Sequence, residues 1–568
     1  MNPSIRSLGW ANLSWMVLTL HNNTYQPLSW MLLGCIVLVQ GLKPFGFHLV
    51  SWLLHAANAA VYCLVAAKLL GWPDGKEGRR SFDTALCALV AALLFACHPL
   101  QVESVALAAG LGDLLSAFFF LLSILAYLRG KDPRGVSSGE SWPWLSWALF
   151  LASGLSRWKG FALPAVLLLL DFYPLGRLRP DPRSWFEAAY RRVWQEKIPY
   201  LAVAAGILLV NVLAKTTHPG SALSMNPAAF FGAATLYLGK WLAPFPLYPV
   251  YAVASPYGLR WPLAVSAGMV LAVTAGLGLC SRRWPAGLLV WLYFLINVAP
   301  IVAVPIDGWC FAADRHAYLA CLGFPLLVAG ACLRGCRSWS LRRSIPGLAP
   351  LAAVGVVLFF FCRLVVGQIA VWRDSHTLWR HVLEHDPGSR YGHFRQGLAF
   401  LDENRFAEAL ASFRLQLRAE PRVAMINLAN AYNKWGVLLY QQGRIGEAAA
   451  RFKESVAWGP SFQEGHRNLA AALHRQGRND EAIAAYKKAL LLGPANADAH
   501  ADLGLALAEC GASSEARAQL EAALRISPSH GQAVKTLNEL DVIRRRQFAR
   551  SHCGNILPAK DGGPRASP

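Results

Sequence analysis

Charge is what this chain of 568 residues has little of. Only 15% of its residues are charged, against about 25% in an ordinary soluble domain, while 55% are hydrophobic and the mean hydropathy is +0.33. That balance excludes a purely soluble enzyme, and it excludes disorder as the main theme. Acidic residues are scarcer still, 33 Asp and Glu against 54 Lys and Arg, which leaves a formal charge of +21. No basic run is interleaved with stacking aromatics, so nucleic-acid binding is not expected. Cysteine spacing suited to a metal is missing too. Of twelve cysteines, ten lie at or before Cys362, mostly inside apolar segments where a thiol behaves as a small hydrophobe. The closest pair, Cys332 and Cys336, lacks both metal-site spacing and a nearby His, so the expectation is of no metal and no required disulfide.

What is present is a series of long apolar stretches with basic boundaries. Through Val371 there are 28 Lys and Arg against 13 Asp and Glu; the remaining 197 residues carry 26 and 20. Most of the surplus sits in short loops, such as Lys76/Arg79/Arg80 and Arg334/Arg337/Arg342/Arg343, as in the cytoplasmic loops of membrane proteins. Apolar segments near the ~20 residues that a bilayer demands run at roughly 46–71, 82–97, 110–128, 143–157, 159–173, 197–214, 261–280, 284–304, 316–334 and 348–370. That is about 10 spans in residues 1–371. The shorter segments 28–40 and 227–243, flanked by Pro and Trp, are expected along the interface. With the basic loops cytoplasmic, parity places the loops 98–110, 214–260 and 305–315, and everything after residue 371, on the extracytoplasmic side.

After Trp372 the sequence repeats. Prolines at 387, 421, 460, 494 and 528 are spaced 34, 39, 34 and 34, the tetratricopeptide (TPR) period with one five-residue insertion. Gly397, Gly436, Ala470 and Gly504 recur at the close-packing site of the first helix; Ala409/Phe413, Ala448/Phe452, Ala482/Tyr486 and Ala516/Leu520 recur on the second. The expected fold is therefore all-α. A polytopic membrane helical domain, 1–371, precedes a TPR α-solenoid, 372–545. The solenoid comprises a half-repeat at 372–387 (Ser375/Trp379/Val382), repeats at 390–421, 429–460, 463–494 and 497–528, and a polar cap at 531–545. Residues 546–568 read as a disordered tail. Such a solenoid offers a concave face for a peptide or helix rather than catalytic groups.

Ionisable residues at membrane segments are costly and therefore informative. Four clusters stand out: Tyr25 with His48, His55 and Asn58; His98 with Glu103 and Asp113; Arg157 and Lys159 with Asp171 beyond; and Asp314-Arg315-His316 with Tyr318. Each has a plain alternative. Histidines at helical spacing also serve to hydrogen-bond a neighbouring helix, and cations at a turn also snorkel to the interface. Parity nevertheless puts the 157–159 turn on the side of His98, Glu103 and Asp314. Carboxylates and cations converging on one face suit sugar transfer from a lipid-linked phosphosugar: the phosphate needs Arg or Lys, and the acceptor hydroxyl needs a carboxylate to take its proton.

At these residues the sequence also resembles a known family. YQPLSW, GLKPFGFHLVSWLLHAANA, LLFACHPLQVESVA, GLGDLLS, LPAVLLLLDFYPL, EKIPYL, YLGKWLAPFPLYP and NVAPIVAVPIDGWCFAADRHAYL, followed by TPRs, are similar to the transmembrane and TPR-containing (TMTC-type) protein O-mannosyltransferases and their bacterial relatives. The resemblance covers nearly the whole chain. It implies a multi-spanning glycosyltransferase of the GT-C superfamily in a cell (inner) membrane, with a polyprenyl-phosphate sugar as donor and no further cofactor. The TPRs would lie on the lumenal or periplasmic side and hold an acceptor protein. The roles expected are Glu103 and Asp113 in acid/base or acceptor positioning, with His98 orienting Glu103. Arg315, Asp314, Lys159 and Arg157 are expected at the donor phosphate, and Tyr25, His48 and His55 at an acceptor or structural site. The family pattern also implies a further N-terminal helix and an acidic pair ahead of an Asn-Pro, whereas this chain opens at Met1-Asn2-Pro3. Leu111 stands where a basic residue is expected, Lys159 is displaced, and His316 replaces a Tyr. The expectation is thus of a chain one helix and one acidic loop short of the enzyme. A membrane-anchored TPR scaffold without catalysis is the alternative.

Overall fold

The computed structural model describes residues 3–20, 24–71, 79–131, 141–179, 182–216, 227–251, 263–300, 312–340, 349–417 and 420–553. These are α-helical with short 3-10 turns and isolated bridge positions, among them one antiparallel bridge between Tyr251 and Ala312. Two compact units are formed, Met1–Ser389 and Arg390–Pro568. The break therefore falls after Ser389, so helix Ser375–His385, expected as the solenoid's half-repeat, groups with the first unit.

In the first unit, α1 (Trp10–Leu18) and α2 (Pro27–Gln40) lead into α3 (Pro44–Gly71), α4 (Arg79–Ala96), α5 (Val102–Ala106), α6 (Leu111–Gly130), α7 (Ser141–Ser156), α8 (Leu163–Phe172) and α9 (Arg191–Thr216). Then come α10 (Pro227–Leu242), α11 (Leu263–Leu279), α12 (Pro285–Val298), α13 (Ala317–Ala320), α14 (Gly323–Ser340), α15 (Ala349–Val371) and α16 (Ser375–His385). Four stretches are long and apolar enough to cross a membrane: Pro44–Gly71, Ala108–Gly130, Ala188–Ala214 and Leu351–Val371. Two bent pairs, Phe82–Ala96 with Pro99–Ala106 and Asp314–Ala320 with Gly323–Gly335, raise the number to six if each counts as one span. Among the described residues this is fewer than the sequence led one to expect. The reason is length: α8 has 10 residues, α12 has 14, α7 has 16 and α11 has 17. At a rise of ~1.5 Å per residue these helices reach roughly 15 to 26 Å of a ~30 Å hydrocarbon core. The segment expected at 159–173 opens as a 3-10 turn, Trp158–Ala162, and the one expected at 284–304 leaves the helix after Val298. The loop cations Lys76, Arg342 and Arg343 lie outside the described residues.

Helices α3, α4, α6 and α14 pack around a shared core that includes Val61, Tyr62, Ala88, Phe95, Leu121 and Ala329. Helix α6 meets α7 through serines spaced seven apart on each. The Ser123 hydroxyl donates to the Ser146 carbonyl at 2.7 Å and the Ser146 hydroxyl to the Ser123 carbonyl at 2.9 Å. One level along, the Ser153 hydroxyl donates to the Ser116 carbonyl at 2.8 Å. Small hydroxyl side chains let two apolar helices approach closely and tie each to the other's backbone.

The second unit pairs α17 (Arg390–Asp402) with α18 (Phe406–Gln416), α19 (Pro421–Gln441) with α20 (Ile445–Trp458), α21 (Gln463–Arg475) with α22 (Asn479–Leu492), and α23 (Ala497–Glu509) with α24 (Ser513–Ile526), then closes with α25 (Gly531–Cys553). The turn inside each pair places one residue at positive φ: Asn404, Gly443, Gly477 and Gly511. A left-handed residue ends the first helix and reverses the chain, which glycine and asparagine do at least cost. Two boundaries differ from expectation. Pro421 opens α19 as its first residue, so the insertion lengthens a helix of 21 residues instead of forming a loop before 429. Helix α25 continues to Cys553, past the expected cap end at 545; residues 554–568 of the expected tail lie outside the described residues.

Candidate active site

Two broken helices build the site. Helix α4 stops at Ala96 because Pro99, two residues after Cys97, has no N–H to continue the ladder and its ring blocks the preceding turn. The chain resumes at an angle of 56° and α5 carries Glu103 inward, where it is 2% exposed. His98 holds the break: its Nδ1 accepts the Leu100 N–H at 3.2 Å, and its Nε2 lies 3.1 Å from the Trp241 carbonyl. Both ring nitrogens are thus engaged away from Glu103. This corrects the expectation that His98 orients Glu103. Arg315 does so instead, its backbone N–H donating to Glu103 Oε2 at 2.8 Å and its guanidinium pairing with Oε1.

Arg315 lies on the 3-10 turn Asp314–His316 that opens the second bent pair, in which α14 departs at 47°. The turn is fixed by tyrosines that sequence reading had not singled out. The Tyr251 hydroxyl donates to Asp314 Oδ1 at 2.7 Å, the Tyr237 hydroxyl donates to the Ala313 carbonyl at 2.8 Å, and the Tyr251 N–H donates to the Ala312 carbonyl at 2.9 Å. Asp314 therefore faces a phenol within the fold and does not line the neighbouring pocket.

Asp113 enters from the first turn of α6. The corner before it closes tightly: a Cβ on Gly110 would stand 2.5 Å from the Ser104 carbonyl oxygen, so no side chain fits there. Two cations reach Asp113 Oδ1, Arg157 Nε at 3.3 Å and Lys159 Nζ at 3.1 Å. Arg157 Nη1 also donates to Gln26 Oε1 at 2.7 Å. A small pocket is lined by Asp113, Ser116, Lys159, Asn297, Arg315, His316, Tyr318 and Leu319. Glu103, Asp113 and Asp314 thus gather with Arg157, Lys159 and Arg315, three carboxylates against three cations.

Of the remaining expected residues, His55 is brought close and the other two are not. His55 Nδ1 lies 2.8 Å from the Tyr318 hydroxyl, to which Asn58 Nδ2 also donates at 3.0 Å, so this pair braces a tyrosine of the pocket wall. The Tyr25 hydroxyl donates to the Val17 carbonyl at 2.9 Å, and His48 is exposed on α3; neither lines the pocket. Asp171, which sequence proximity had grouped with Arg157 and Lys159, belongs to a separate buried network. It accepts from the Tyr127 hydroxyl at 2.7 Å and Arg177 Nη1 at 2.8 Å and pairs with the fully buried Lys197. Arg177 continues to Glu196 at 2.9 Å. Ser116 and Asn297 went unread in the sequence; Asn297, a lone amide in the apolar run before Val298, carried the usual signal of a polar residue in a membrane segment.

Family models described as TPR repeat and tetratricopeptide repeat match residues 472–511 and 372–423. Protein O-mannosyl-transferase TMTC1 of Homo sapiens is 25% identical over 523 residues, covering 78% of this chain and 56% of that protein. Protein O-mannosyl-transferase Tmtc3 of Drosophila melanogaster is 22% identical over 480 residues, covering 72% and 50%. The chain spans about half the length of these curated relatives. Among solved structures, the crystal structure of MamA aligns with 27% of this chain and 86% of that one at 21% identity, with a TM-score of 0.22, too low to carry weight. A match over 78% of the chain is longer than either compact unit, so the similarity runs from membrane helices into repeats. In sequence and in the order of its two parts, the chain is similar to the TMTC-type protein O-mannosyl-transferases.

Proposed function

We propose that the chain is a membrane glycosyltransferase of the O-mannosyltransferase type, passing a hexose from a polyprenyl-phosphate donor to a hydroxyl of a protein or glycan acceptor on the extracytoplasmic side. The observation that carries this reading is the pocket where Arg315 and Lys159 stand beside Glu103 and Asp113. In the transfer, the acceptor oxygen bonds to the sugar's C1 as the bond from C1 to the phosphate oxygen breaks. The hydroxyl proton passes to a carboxylate, Glu103 or Asp113, and polyprenyl phosphate leaves with its charge matched by Arg315 and Lys159. Arg157, shared between Gln26 and Asp113, keeps that carboxylate in place, and Asp314 with Tyr251 positions Arg315. An apolar pocket lined by Tyr62, Leu121, Val166, Tyr293 and Leu322 among others adjoins the polar one through the Tyr293 hydroxyl, which donates to the Leu319 carbonyl at 2.9 Å. A prenyl chain suits such walls. The names of the relatives support the reaction class.

Binding of polyprenyl phosphate to the purified chain in detergent tests the phosphate assignment. Arg315→Ala removes a charge-assisted contact of about 1.5–3 kcal/mol, so affinity should fall roughly 10- to 100-fold. Equal binding by the variant contradicts the assignment. One observation favours a second reading, a non-catalytic membrane scaffold that presents its TPRs to a protein partner. Both candidate carboxylates are already engaged inside the fold, Glu103 by Arg315 on both oxygens and Asp113 through Oδ1 by Arg157 and Lys159. A chain that binds no polyprenyl phosphate, wild type and variant alike, would support the scaffold.

A further inference from the structure

We propose that α16 carries a binding site for a divalent transition-metal ion, zinc by preference, formed by His381, Glu384 and His385. The three positions follow the helical spacing i, i+3 and i+4, which puts them on one face within a single turn. One ring nitrogen of each histidine and one carboxylate oxygen of Glu384 lie within 4.8 Å of one another, and the two imidazole rings are 4.4 Å apart between centroids. Ligand atoms around a tetrahedral zinc stand about 3.3 Å apart at Zn–N distances of ~2.0–2.1 Å. Side-chain rotation alone closes that difference.

The surroundings already prepare the ligands. His385 Nδ1 lies 2.9 Å from the His381 carbonyl oxygen. Donation there puts the proton on Nδ1 and leaves the lone pair on Nε2, the arrangement in which histidine binds metal with its other nitrogen tied to a backbone carbonyl. His381 Nε2 is enclosed without a well-aligned hydrogen bond, although the Leu247 backbone lies alongside the ring. Glu384 is exposed, which supplies a negative charge and an entry path. Two imidazoles and one carboxylate with a fourth position open to water form a donor set that suits zinc better than calcium or magnesium, which take mainly oxygen. None of the three residues lines the transfer pocket. The expectation of no metal rested on cysteine spacing and did not reach the His-x-x-Glu-His sequence at 381–385.

The test uses the full chain in detergent, stripped with a chelator and then titrated with Zn²⁺ against a chromogenic competitor. Wild type should hold one more equivalent than the His381→Ala/His385→Ala variant. Co²⁺ should give the visible absorption of a tetrahedral site in wild type and lose it in that variant. Glu384→Gln alters only an exposed side chain, so it keeps the fold and should weaken the same equivalent about 10-fold or more. Equal stoichiometry and affinity across the wild type, the double variant and Glu384→Gln, with unchanged Co²⁺ spectra, would overturn the site.

Discussion

Glu103 and Arg315 stand 212 positions apart in the sequence and share two hydrogen bonds in the fold. Each was visible beforehand as a charge at the edge of an apolar run, as were Asp113, Arg157 and Lys159. Their pairing was not visible, because it depends on how two helix breaks meet. Adjacency along the chain misled twice. His98 lies five residues before Glu103, yet the break at Pro99 turns it toward Trp241. Asp171 follows Lys159 closely, yet α8 carries it into the network of Tyr127, Arg177 and Lys197. That network makes a prediction of its own. Asp171→Asn leaves the fully buried Lys197 without its charge partner, a loss of about 3–5 kcal/mol. The thermal unfolding midpoint of the detergent-solubilised chain should drop by several degrees. Polyprenyl-phosphate affinity of the folded fraction should not change, since Asp171 does not line the pocket. An unchanged midpoint would show that the pair is dispensable.

At the scale of elements, regular features were the legible ones. The 34-residue period appears in the fold as four helix pairs with a left-handed residue in each inner turn, because each repeat must present the same surface to the next. Irregular features were hidden: Pro421 read as the end of a repeat, whereas proline at a first helical position starts α19. Several apolar segments were long enough in sequence and too short as helices, since hydropathy does not record where a 3-10 turn intervenes. Packing within the second repeat is tight. A Cβ on Gly436 would stand 2.5 Å from the Phe452 ring, so Gly436→Leu should overpack the α19–α20 contact and destabilise the solenoid by about 1–3 kcal/mol or more, read by denaturant unfolding of the full chain. The next repeats supply a pH dependence. Burial and then Asp498 raise the Asp502 carboxyl above its ordinary range, against the lowering influence of Arg467 at 3.3 Å and of His530 and His474. The folded state therefore binds a proton more readily than the unfolded one, and stability falls as pH rises through the interval above the unfolded value of ~3.9. Asp502→Asn, which mimics the protonated form, should raise the solenoid's midpoint at pH 7, with the gain shrinking toward pH 4. A gain that stays constant with pH would contradict this sign.

At the scale of the whole molecule, the scarcity of charge divides into two causes. In the first unit, apolar helices fill residues that a soluble protein would spend on a solvated surface, and the charges that do enter them assemble in pairs: Glu103 with Arg315, Asp113 with Arg157 and Lys159, Asp171 with Lys197 and Arg177. In the second unit, charges return to exposed helix faces, as in the pairs Arg444–Glu447 and Arg478–Glu481. The solenoid offers surface of the kind that takes a partner, and the first unit contributes a pocket where Asp113 meets Lys159 and Arg315. Transfer is the most direct test of that division. The full chain, reconstituted in liposomes with radiolabelled mannosyl polyprenyl phosphate and a Ser/Thr-rich acceptor peptide, should move label to the peptide. Glu103→Gln and Arg315→Ala should each lower the rate by about 100-fold or more, the range expected when a proton acceptor or a charge-stabilising group is lost. Label that reaches the peptide at the wild-type rate with both substitutions combined, or no transfer by a wild-type chain shown to bind the donor, would contradict the account.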